Sequence, residues 1–285
     1  MLITNDFILI NLPKTGSTFA RQVVSTLYAA KGGEYGLIKK FLCSLRGEEV
    51  PFCKELFLER TDFKESYNYK FLDQHGRYEQ VPDKYKSRPV LSIVREPINR
   101  SLSFYEFGWW KNHPVVSVNE IRNAFPSFPD LDFPAFLEYQ DFNIQYRDTG
   151  VPAPPDIGIQ TITFIQFCFR NPKQAVARLS DEYIYSGEYK EDLPELILLR
   201  TEYLNRDLYK YFTNCGFTAG EIGFILTKPA VRPDNTSRKP DEERQMYLTE
   251  ETRKTIRYKE RYLYHIYSDY GIEYQDDSIS GEYKS

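Results

Sequence analysis

The segment PKTGST, residues 13 to 18, stands between an apolar run and a stretch of helical spacing. It gathers the ammonium of Lys14, the hydroxyls of Thr15, Ser17 and Thr18, and the bare backbone of Gly16. A loop leading from a strand into a helix aims the helix's first N–H groups, and the positive end of its dipole, at one point. Lys14 adds a full charge there and Gly16 allows close approach, so the loop suits a phosphate or sulfate group. It is not a Walker A loop, whose pattern is G-x-x-x-x-G-K-[ST], because here Lys14 precedes the glycine. A turn with a solvated lysine is the competing explanation. A second group weakens that alternative. In VREPINRSLSFYEF, Arg95 ends an apolar run and Ser103 lies in R-x7-S spacing from it, inside a helical stretch. A guanidinium can grip a phosphate with two parallel hydrogen bonds, and a serine hydroxyl adds a donor. Two anion-binding corners at adjacent strand ends weigh against Arg95 being only a strand end and Ser103 only a helix-surface residue.

These residues need strands that end beside one another. Ile8 to Asn11 reads as a buried strand, stopped at Pro13. Ser17 to Ala30 reads as a helix, with Phe19, Val23, Val24 and Leu27 on one face. PVLSIVRE is a second buried strand, and Pro97 opens another helix. ELILLRTE is a third core strand, followed by a helix ending at Gly216. YKFLDQ reads weakly as a strand, GIQTITFIQFCF as either helix or strand, and RPDNTSRKPD as a loop. LTEETRKTIRYKERYLYHIYSDYG reads as one long helix capped by Thr249. Strands alternating with helices predict an α/β fold, a three-layer sandwich with a mainly parallel sheet. Ligands then bind beyond the carboxyl ends of the strands, where the loop of Lys14 lies. Residues 112 to 157 are rich in proline, which predicts an inserted lid or acceptor-binding region in an otherwise single domain spanning 1–285.

Composition bounds the partners. A net charge of −4 argues against nucleic acid, though not against a local basic pocket. The four cysteines contain no C-x-x-C pair, and with only three histidines no metal-ligand cluster is expected. The cysteines read as reduced thiols. No apolar window reaches membrane-spanning length, and MLITNDFILIN lacks a basic leader, so no membrane partner and a cytoplasmic location are expected. The high Tyr and Phe content suits a ligand cleft, although most such residues serve a core and surface. The oligomeric state is left open.

On these motifs the chain resembles the sulfotransferases that use 3′-phosphoadenosine 5′-phosphosulfate (PAPS). PKTGST matches their 5′-phosphosulfate loop, a P-loop-like element, and Arg95 with Ser103 matches their 3′-phosphate motif. VREPINRSLSFYEF, with Arg100 and Tyr105, looks most like the branch holding carbohydrate and many bacterial sulfotransferases. DQHGRYEQVP resembles the segment where that branch carries a histidine base, and LLRTEYLNRDLYKYFTNCGF is similar to it more loosely. The likeness leaves out about residues 31 to 66 and 112 to 157.

The resemblance implies transfer of a sulfuryl group from PAPS to a hydroxyl or amine, leaving the bisphosphate PAP, with no metal. The acceptor would be a small molecule, such as a natural product, or a sugar. Thr15, Gly16, Ser17 and Thr18 would hold the 5′-phosphate, and Arg95 and Ser103 the 3′-phosphate. Lys14 would stabilise charge on the departing phosphate oxygen. His75 is the expected base, with Glu34 as the alternative, while His265 reads as structural and His113 falls in the expected lid. Arg238 and Lys239, in NTSRKP, are second-rank nucleotide contacts, since family members close over the nucleotide with a late basic loop. The alternatives are a kinase-like phosphotransferase, which lacks a Walker A lysine and an evident magnesium carboxylate here, and a non-catalytic nucleotide-binding module.

Overall fold

The computed structural model describes residues 1–33, 43, 45, 46, 50–64, 72–231 and 241–274. Its main sheet holds five strands: β1 (Leu2–Thr4), β2 (Ile8–Ile10), β3 (Cys53–Glu55), β6 (Val90–Val94) and β7 (Leu196–Arg200). Two short strands, β4 (Leu58–Glu59) and β5 (Leu72–Asp73), form a separate antiparallel pair. The strand order in the main sheet is β3-β1-β2-β6-β7. β2, β6 and β7 run parallel, with Ile8 opposite Val90 and Val94 opposite Arg200. β1 and β3 add an antiparallel edge. The expectation of a mainly parallel sheet therefore holds for the three strands that carry the site, and the edge departs from it. The tight turn from β1 to β2, closed by the Thr4 hydroxyl on the Phe7 carbonyl at 2.9 Å, leaves room only for antiparallel return.

Alternate side chains of the parallel strands enter two different cores. Ile8, Ile10, Val90 and Val94 pack with helices α4 (Ile159–Cys168) and α8 (Arg261–Asp269). Leu9, Leu91, Ile93 and Leu199 pack with α1 (Ser17–Gly33) and α5 (Leu204–Asn214). Helices thus line both faces of the sheet. A third core joins α2 (Pro97–Phe107), α3 (Phe133–Phe142), the segment between them and α7 (Glu250–Lys259), and it is dominated by aromatic side chains. α6 (Asp241–Tyr247) contributes Tyr247 to its margin.

GIQTITFIQFCF is helical, as α4, and every residue from Gln160 to Cys168 is buried. A helix apolar on all sides has no polar face to mark its period, so strand and helix are indistinguishable by pattern. The C-terminal region is two helices rather than one, broken at Glu260 (φ −101°, ψ 18°). Thr249 does cap the first of them, accepting from the Thr252 N–H at 3.2 Å. The break turns Glu260 into the core. Its carboxylate accepts from the N–H groups of Gln160 and Thr161 at 3.0 and 2.7 Å and from the Thr161 hydroxyl at 2.7 Å. It thereby satisfies the open N-terminus of α4, which has no capping side chain of its own. A Cβ at position 158 would lie 2.1 Å from Glu260 Oε1, so the close approach requires Gly158. Among the described residues, no helix is long and apolar enough to cross a membrane.

Glu260→Ala would leave three buried donors without an acceptor. We expect a loss of about 3 kcal/mol, read from the urea midpoint at unchanged slope. A loss below about 1 kcal/mol would show that α4 does not depend on this acceptor.

Candidate anion-binding site

The loop from β2 to α1 is strained and clamped. Lys14 has a φ of 64°, a left-handed conformation that costs a side-chain-bearing residue about 1–3 kcal/mol. Gly16, at φ 81°, takes the same region without that cost, and a Cβ there would sit 3.2 Å from Leu204. Three hydrogen bonds offset the strain. The Thr15 hydroxyl donates to the Leu12 carbonyl at 2.9 Å. The Thr201 hydroxyl lies 2.7 Å from the Thr15 carbonyl and 2.9 Å from the Val94 carbonyl, between the ends of β2 and β6. The Arg100 Nε donates to the Pro13 carbonyl at 3.0 Å. The buried Thr15 therefore has its hydroxyl occupied inside the fold and offers its N–H alone. Ser17 is also buried, whereas Gly16 and Thr18 are exposed.

Lys14 and Arg95 act on one another electrostatically across the ends of β2 and β6. Burial, then repulsion from Arg95, holds the Lys14 ammonium down at about 8, with Glu106 opposing. The ammonium rests over the Phe107 ring, 3.6 Å from its centre. Phe107 ends α2, and Ser103 lies one turn earlier on the same helix face. Ser103 is half-buried there. Arg95 also acts electrostatically on Arg100 and on Glu202, whose carboxylate accepts from the Glu96 N–H at 3.2 Å. Glu106 is ion-paired with Arg244 of α6 at 2.9 Å, and Glu96 caps α2 through the Asn99 N–H at 2.6 Å.

His75 follows β5 and reaches the end of β2. Its Nδ1 lies 2.7 Å from the Asn11 carbonyl, which can only accept, so Nδ1 carries the proton and Nε2 is the accepting nitrogen. The backbone N–H of His75 donates to Asp73 Oδ1 at 2.6 Å. Asp73 in turn meets Arg60, and Arg60 and Arg147 both grip the buried Asp62. That pairing keeps Asp62 ionised well below the ordinary carboxylate range, against burial. Burial first, and Arg60 after it, pushes the His75 imidazole below its ordinary value, so it is neutral at pH 7. His113 instead stacks on Trp109, with ring centres 4.4 Å apart. His265 lies in α8, 3.8 Å from Asp269. Glu34, Arg238 and Lys239 fall outside the described residues. Among the described residues, no group of three or more His, Cys, Asp or Glu side chains is arranged to hold a metal ion.

Sequence reasoning gave no role to Thr201, Arg100, Phe107 or the Glu106–Arg244 pair. Of these, Arg100 is marked in sequence by its place in VREPINRSLSFYEF, and Thr201 as a hydroxyl residue at the end of a core strand.

No family model matches the chain, and no curated protein matches it. Among solved structures it is similar to mouse sulfotransferase SULT7A1 complexed with PAP, at 13% identity and a TM-score of 0.36, over 97% of this chain and 87% of that one. The similarity is too distant to assign roles, so roles rest on this chain's own residues.

Lys14 is cationic below about pH 8 and neutral above it. Binding of inorganic sulfate, followed by calorimetry, should therefore weaken as pH rises through about 8, and Lys14→Ala should lose this step. A step near the ordinary lysine value of 10.5 would show that Lys14 is neither dry nor beside Arg95.

Proposed function

We propose that this protein is a sulfotransferase that moves a sulfuryl group from PAPS to a hydroxyl or amine of a small molecule or sugar. The observation that carries the reading is that Lys14 and Arg95 follow the carboxyl ends of two neighbouring parallel strands and act on one another electrostatically. Their motifs would assign the two side chains to the two phosphates of one nucleotide. Lys14, with the N–H groups of Thr15 to Thr18, would hold the 5′-phosphosulfate. Arg95 and Ser103 would hold the 3′-phosphate, and Arg238 and Lys239 are second-rank candidates for contacting the nucleotide.

In the transfer, an acceptor oxygen or nitrogen forms a bond to sulfur while the bond from sulfur to the bridging phosphate oxygen breaks. Negative charge grows on that oxygen, where Lys14 stabilises it more in the transition state than in the ground state. The acceptor's proton goes to Nε2 of His75, which is neutral and oriented by the Asn11 carbonyl. The products are the sulfated acceptor and PAP. No redox change occurs. The aromatic block packed on α2, which includes much of 112–157, would supply the acceptor side.

The deciding experiment is transfer of labelled sulfate from PAPS across a panel of alcohols, amines and sugars, beside equilibrium binding of PAPS and ATP. Transfer with release of PAP is expected. ATP binding in preference to PAPS would favour a phosphotransferase, and PAPS binding without turnover a non-catalytic module. Arg95→Ala should weaken PAPS far more than an analogue lacking the 3′-phosphate, since a guanidinium partner is lost. Equal losses for both ligands would make Arg95 structural.

His75→Ala should lower the catalytic rate by about a hundredfold or more, with donor affinity little changed. The native rate should fall as pH drops below the ordinary imidazole value of 6.5, because burial delays protonation of His75 to lower pH. A variant that keeps the same acid limb and a similar rate would place the base elsewhere, with Glu34 the next candidate.

A further inference from the structure

Arg100 is a charged residue sealed inside the fold. It is 1% exposed, and among the described residues it makes no ion pair. Its Nε donates to the Pro13 carbonyl at 3.0 Å, and its Nη1 has no hydrogen-bond partner. Its guanidinium lies 5.7 Å from the centre of the Phe104 ring. The charged and titratable groups that act on it are Tyr267, Glu260, Cys168 and Arg95. None neutralises it at close range. The Glu260 carboxylate is occupied by the N-terminus of α4, and the Tyr267 hydroxyl is itself buried without a partner. Gln160 holds the helix turn around Arg100, donating to the Pro97 carbonyl at 2.9 Å and to the Ser101 hydroxyl at 2.8 Å.

A buried guanidinium without a carboxylate weakens a fold, and an aliphatic side chain of similar shape is often tolerated as well or better. A purely structural role is thus a poor account of a charge in this position. Its placement offers another. Arg100, Ser103 and Phe107 recur at helical spacing along one face of α2. That face meets the Pro13 carbonyl at one end and the Lys14 ammonium at the other. Arg100 also repels Arg95, as Arg95 repels Lys14. Arg95 thus links Lys14 and Arg100 electrostatically, while Glu106, Glu202 and Glu260 act on the three from carboxylates that have partners of their own.

We propose that Arg100 is a positioning residue of the transfer site. Through the Pro13 carbonyl it holds the Lys14 loop in its left-handed conformation, and its unpaired charge readies the corner for a dianion. It touches neither donor nor acceptor. The inference rests on the sulfotransferase reading for the identity of that dianion, and on the geometry alone for the rest.

The test compares native protein, Arg100→Met and Arg100→Lys by thermal unfolding without ligand, by calorimetry with PAP and with inorganic sulfate, and by steady-state kinetics. Arg100→Met should unfold at or above the native temperature, since it removes an uncompensated buried charge. It should bind PAP at least tenfold more weakly and turn over more slowly, with the KM for the acceptor unchanged. Arg100→Lys, which can donate to the same carbonyl, should recover most of the lost affinity. An Arg100→Met variant that fails to fold, or melts well below native, makes Arg100 structural and overturns the proposal. So does native PAP affinity in Arg100→Met, or no recovery in Arg100→Lys. If native protein binds sulfate but not PAP, the sulfotransferase reading falls while the Arg100 comparison is still decided with sulfate. If it binds neither, both fall.

Discussion

The bridging hydroxyl of Thr201 is the contact on which the candidate site depends. It lies within hydrogen-bonding distance of the Thr15 carbonyl and the Val94 carbonyl. The loop after β2 is therefore registered against the end of β6, the strand that Arg95 follows. Parallel pairing places the two strand ends at the same edge of the sheet, but pairing alone does not set the path of the chain beyond them. A lysine at positive φ would relax if the surrounding bonds let it. Thr201 holds the loop from the β7 side, Arg100 from the α2 side, and Thr15 closes it on itself.

Electrostatics at this corner follows a simple division. The cations Lys14, Arg95 and Arg100 act on one another, and Glu106, Glu202 and Glu260 act on them in turn from positions fixed by other partners. Glu106 is bound to Arg244, Glu96 to the start of α2, Glu202 to the Glu96 N–H, and Glu260 to the start of α4. A chain with an overall charge of −4 thus keeps a local concentration of positive charge, because its acids are used as caps and partners.

His75, held at the end of β2, is treated differently. His75 is not paired with a carboxylate at its ring but with the Asn11 carbonyl, which fixes a tautomer without adding negative charge. A carboxylate there would raise the imidazole's basicity and protonate it at neutral pH, whereas burial and Arg60 act the other way. The buried Arg60–Asp62–Arg147 group matters as scaffold. It anchors the segment bearing His75 to the rest of the fold through Asp73.

Local sequence determined the elements whose signals are local. The apolar runs of β2, β6 and β7, the helices starting at Ser17 and Pro97, and the cap at Thr249 are all readable, because periodicity and capping act within a few residues. The types of the candidate site residues were readable for the same reason, since a lysine in a strand-to-helix loop and an arginine at a strand end carry their chemistry in their spacing. What tertiary structure alone decided concerns contacts across long stretches of chain. α4 could be identified as helix only where its all-round burial was visible, and the C-terminal helix breaks at Glu260, which binds the start of α4 about a hundred residues away. The antiparallel edge of β1 and β3, the clamp by Thr201 and the burial of Arg100 beneath Pro13 leave almost no mark in sequence. Each depends on which surfaces meet after folding, and a residue's neighbours in space are not written in its neighbours along the chain.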